Sequence, residues 1–151
     1  MILLIVLKIV HIGAASIWIG GSLTAPSDIQ RTLGLGPPHT GALMPRLRRI
    51  SEIMNQSALA TFVTGVALMA VLGFAQTPHR IWLSIFLTLA AVAAGRWLIR
   101  PVLGEIAVAL KNPPVPPEQI ARIMVRFRMV NGVEHALRAA VLVLMVYPFT
   151  F

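Results

Sequence analysis

Cysteine is absent from the 151 residues, which excludes disulfides, thiolate metal sites, iron–sulfur clusters and cysteine nucleophiles and leaves any metal to His, Met or carboxylate. Acidic residues are scarce as well, 5 against 13 Lys and Arg, for a formal net charge of +8. Charged residues of both signs make up 12% of the chain, about half the usual share of a water-soluble domain. Hydrophobic residues reach 57% and the mean hydropathy is +0.81, so the outside of the molecule is predicted to face lipid rather than water. A nucleic-acid partner is disfavoured in spite of the charge. There is no internal repeat to suggest an inverted-repeat transporter.

What the chain does have is long apolar runs. Ile2 to Ala25 is interrupted only by Lys8 and His11 and ends in Pro26, Ser27 and Asp28; lacking a basic leader, it reads as a retained span rather than a cleaved signal peptide. Further spans are predicted over about residues 50–74, 81–99 and 120–147, the third closed by Arg100 and Pro101. Lys111 to Pro117, rich in proline, reads as a polyproline connector. Four spans of about 20 residues use nearly the whole sequence as one domain. The expected fold is all-α, an integral membrane four-helix bundle, antiparallel and up-and-down. Arg31, Arg46, Arg48 and Arg49 crowd the first loop and Arg96, Arg100, Lys111 and Arg122 surround the third, against Arg80 alone in the second. Under the positive-inside rule both termini lie outside the cytoplasm of a bacterial-type inner membrane.

Ionisable side chains inside a span are costly and so point to function. Lys8, His11, Ala15, Trp18 and Ser22 share one face of the first helix, and Arg128, Asn131, His135 and Arg138 share one face of the fourth. Counting about 1.5 Å per residue from the outer ends places His11 roughly 13 Å deep and His135 roughly 18 Å deep. Two imidazoles at similar depth suit the axial positions of a b-type haem, with Trp18 on the same face. Lys8 and Arg138, each about one turn outward of its histidine, would then meet the propionates. The alternatives are a structural histidine pair or proton site, with Arg138 in an i,i+4 ion pair to Glu134. The third span offers a small face of Ser84, Thr88, Ala91 and Gly95, room either for a flat cofactor or for a tight helix contact. His39 and His79, in loops, are read as solvated, and the scattered methionines as packing.

Three stretches resemble a known group, the HemJ-type membrane protoporphyrinogen oxidases and the wider copper-resistance D-like four-helix membrane proteins. They are Lys8-Ile9-Val10-His11 with Trp18, Gly20 and Pro26; Met44-Pro45-Arg46-Leu47-Arg48-Arg49 with Ile53-Met54-Asn55 and Thr64-Gly65; and Phe127-Arg128-Met129-Val130-Asn131 with Tyr147-Pro148-Phe149. The resemblance implies b-type haem, His11 as a ligand, and a redox role near tetrapyrroles or quinones. Two of that family's cations are missing here: Trp82 is followed by Leu83, Ser84, Ile85 and Phe86 where it has a lysine, and Ser27 stands where it has an arginine.

The expected function is therefore electron transfer to or from a quinone or partner subunit by a haem held between His11 and His135. An alternative is a protoporphyrinogen oxidase-like enzyme in which His11 alone ligates iron and Arg128, Asn131 and Arg138 bind the anionic porphyrin. A second is a copper or proton pathway or a structural membrane subunit. Besides the lipid bilayer, the expected associations are a homodimer or a larger membrane complex.

Overall fold

The computed structural model describes residues 1–111 and 114–147; Asn112 and Pro113 of the expected connector, and Pro148 and Phe149, lie outside the described residues. Among the described residues six α-helices follow one another: α1 (Ile2–Gly20), α2 (Ala25–Leu35), α3 (Leu43–Leu72), α4 (His79–Ala94), α5 (Arg100–Ala109) and α6 (Pro117–Val146). Short 3-10 turns at His39–Ala42 and Phe74–Gln76 precede α3 and α4, and a π-helical turn, Gly95–Ile99, joins α4 to α5. Among the described residues there is no strand. The stretches Ile2–Leu35, His39–Leu72, His79–Ala109 and Pro117–Val146 are each long and apolar enough to cross a membrane.

Two prolines expected to end helices begin them instead, and α1 stops earlier, at Gly20. Pro26 lies in the first turn of α2 and Pro101 in the first turn of α5, where the missing proline N–H is not needed by the helix. The π turn immediately before Arg100 loosens the backbone at the point where the proline ring would otherwise press on the preceding turn. True stops come at Gly36 and Gly73, with φ of 66° and 96°, conformations that side-chain-bearing residues resist.

Packing divides the molecule along its length. At one end α2, the start of α3, α5 and the first half of α6 enclose an apolar core that includes Ile29, Leu43, Leu47, Val102, Ile106 and Phe127. Its outer surface carries ion pairs such as Arg46–Asp28 and Arg126–Glu105. Towards the other end the interior is slight, a cluster of Trp18, Met54, Ala58 and Ala91, while Ile9, Val63, Phe86, Leu89 and Val143 point outward. There α1 packs chiefly on α3 and α4 chiefly on α6, with few contacts between α1 and α6.

The small face of α4 forms a close helix contact. Ser84, Thr88 and Ala91 are buried, and each hydroxyl turns back to its own helix, Ser84 to the Ile81 carbonyl at 2.7 Å and Thr88 to the Ser84 carbonyl at 2.7 Å. Without bulky side chains α4 can approach α6 closely. Arg80 fastens the far end of the pair, donating to the carbonyls of Leu144 at 3.3 Å and Tyr147 at 2.7 Å at the close of α6.

Candidate functional site

His11 meets α3, not α6. Its Nδ1 lies 3.0 Å from the Thr61 carbonyl and 3.0 Å from Thr64 Oγ1. The Thr64 hydroxyl donates to the Ala60 carbonyl at 2.6 Å, so its oxygen accepts from His11, and the proton sits on Nδ1. The other nitrogen, Nε2, has no hydrogen-bond partner among the described residues. Gly65 makes room for the ring: a Cβ there would stand 3.2 Å from His11 Cε1. Position, tautomer and orientation of this imidazole are thus set by one turn of α3.

His135 belongs to a second polar cluster at the junction of the two packing regions. Its Nδ1–H donates to the Asn131 carbonyl at 2.8 Å, one turn earlier in α6, and Nε2 lies 3.4 Å from Ser22 Oγ. Ser22 accepts a hydrogen bond from Arg138 Nη1 at 2.9 Å, which leaves its own proton for His135. Arg138 is almost completely buried, pairs with Glu134 and lies over Trp18, its guanidinium carbon 5.4 Å from the ring centroid. Gly95 of the π turn admits the carboxylate, since a Cβ there would come within 3.2 Å of Glu134 Oε1. Two buried atoms of this cluster, Asn131 Oδ1 and Arg138 Nε, are without partners among the described residues.

The sequence-derived site is therefore split. Ser22, which touches His135, lies in the turn after α1, eleven residues beyond His11 and about 16 Å further on at helical rise, so the expected match in depth between the two imidazoles does not occur. Nor do Lys8 and Arg138 converge. Lys8 is exposed on α1, ten residues before the Trp18 ring that Arg138 covers. The intrahelical pairing with Glu134 is present and supplies Arg138 with a counter-ion where a propionate was expected to do so. Arg128 is exposed and donates to Gln30, while Asn131 is buried.

Thr61, Thr64 and Gly65 were not singled out as a cradle for a histidine, although their small, polar face was the available signal. Among the described residues no three of His, Asp and Glu gather into a group that could hold a metal ion by protein ligands alone. No family model, no curated protein and no solved structure matches the chain.

Proposed function

We infer that the protein is a multi-pass protein of a bacterial-type inner membrane, an antiparallel up-and-down bundle with both termini outside, and that it is a b-type haem protein with His11 as an axial ligand. One observation carries the haem reading: His11 gives its Nδ1 proton to the Thr61 carbonyl and keeps Nε2 unengaged, the arrangement in which an imidazole serves as a metal ligand. The resemblance of Lys8 to His11 and Trp18 to the HemJ-type opening motif supports the same residue.

His135 is a different case, because Ser22 and the Asn131 carbonyl occupy both of its nitrogens. It serves here as a link between α6 and the turn after α1, rather than as the second ligand. Bound haem would supply one-electron redox chemistry, and the partner we propose is a quinone or another subunit. The separation of the histidines favours one further reading, a protoporphyrinogen oxidase-like enzyme, because an iron held by His11 alone keeps a position for substrate.

The test is the visible spectrum of detergent-purified protein expressed with added haem, oxidised and dithionite-reduced, with a pyridine haemochrome assay. A b-type spectrum is expected in the wild type and in His135→Ala, and its loss in His11→Ala. Colourless wild-type protein would refute the haem reading. Equal loss in both variants would instead restore ligation by two histidines.

Orientation has its own test, made clean by the absence of cysteine. In intact spheroplasts a membrane-impermeant maleimide should label Ala75→Cys, beside the Arg80 loop, and should reach Ala42→Cys only after permeabilisation. Reversed labelling would put the termini in the cytoplasm.

A further inference from the structure

The 3-10 turn His39–Ala42 folds back beside α2 and bounds an open cavity of about 550 Å³, whose lining includes Asp28, Arg31, Thr32, Leu35, His39 and Arg46. Its charge is unbalanced. Asp28 is the one acidic residue in the lining, and both its oxygens accept from Arg46 Nη2, at 3.2 and 3.3 Å. The same nitrogen donates to Thr32 Oγ1 at 2.9 Å. These bonds fix the guanidinium while leaving its other N–H groups unengaged, and Arg31 and His39 have no partner among the described residues. The site thus has one cation held in place, a second that is free, and no remaining acid to neutralise them.

Its level along the molecule narrows the ligand. On the membrane-spanning reading, on which this inference rests, the apolar run that begins in α1 ends near Ala25, the first residue of α2. Asp28 to Thr32 then lie about 5–10 Å beyond the hydrocarbon, the depth of lipid headgroups. Arg46 reaches the same level from α3, seven residues before the uncharged stretch that opens at Ile53. We propose that this cavity binds the phosphodiester of an anionic phospholipid headgroup. Arg31 and Arg46 pair with the phosphate oxygens. A volume of about 550 Å³ is in the range of small-molecule sites and far exceeds what inorganic phosphate fills.

The test titrates the full chain in neutral maltoside micelles with short-chain phosphatidylglycerol, with phosphatidylcholine and sodium phosphate for comparison, and reads binding by native mass spectrometry. Phosphatidylglycerol should bind saturably and in preference to phosphatidylcholine. Affinity should fall roughly tenfold in Arg31→Gln, and likewise in Arg46→Gln, as for the loss of a charge-assisted hydrogen bond. Arg126→Gln, whose cation is paired with Glu105, should bind as the wild type does. Arg31 makes no contact that folding requires, so unchanged affinity in Arg31→Gln overturns the proposal. Equal binding of phosphatidylcholine overturns it too, as does displacement of the lipid by phosphate at matching concentration. Cysteine labelling keeps the two readings apart. If labelling follows the expected topology while Arg31→Gln binds normally, the site alone fails; if the topology fails while binding depends on Arg31, the site stands.

Discussion

Glu134→Ala should make the protein about 3–5 kcal/mol easier to unfold, the effect of leaving a buried cation without its counter-ion. Side-chain exposure of Arg138 and Glu134 is 2% and 7%, so water cannot replace the lost carboxylate. Ser22 accepts from one guanidinium nitrogen and the Trp18 ring covers its face, but Arg138 Nε already lacks a partner and leaves no reserve. Replacing both charges, Glu134→Leu with Arg138→Met, should recover most of the loss, because an apolar pair of similar volume carries no desolvation penalty. Reversible unfolding in bicelles, analysed as a double-mutant cycle, measures the coupling. The exposed pair Arg48–Glu52, with side chains 83% and 58% accessible, is the control and should contribute less than about 0.5 kcal/mol. A loss in Glu134→Ala as small as in that control would show that the buried pair is hydrated in the folded protein.

Phe127→Ala should destabilise by about 3–5 kcal/mol and Phe86→Ala by less than about 1 kcal/mol, although both remove the same ring from a long apolar helix. Phe127 is 3% exposed within the core of α2, α3, α5 and α6, in one buried cluster with Leu47, Ile106 and Ile29, so a cavity would remain. Phe86 is 66% exposed on the outer face of α4, and lipid would fill the space it vacates. The same unfolding measurement separates the two. Equal losses would mean that the outer face of α4 is covered by protein, as in a homodimer or larger complex. Small losses at both would mean that the charged end of the bundle does not supply its tertiary stability.

Part of this arrangement was legible in the residues themselves. Apolar runs of span length gave four long helical stretches, and helical spacing put Trp18 with Ser22 and Glu134 with Arg138 on common faces. What misled was punctuation. Pro26 and Pro101 look like stops in the sequence, yet proline in the first turn begins a helix as readily as it ends one, and here α2 and α5 start at them. The π turn at Gly95–Ile99 has no sequence signature of its own beyond the glycine and the proline that follows.

His11 shows where the limit falls. Its place on a polar stripe follows from a period of 3.6 residues. Which neighbour the stripe meets, and at what height, depends on helix pairing and axial register. Periodicity specifies neither, because a helix slid by a few turns along its partner keeps the same face buried. The sequence by itself determined the long apolar helices and the chemistry each face carries. Only the tertiary structure decided that α1 lies on α3, so that Thr61 holds His11 while Ser22, about 16 Å further along, holds His135.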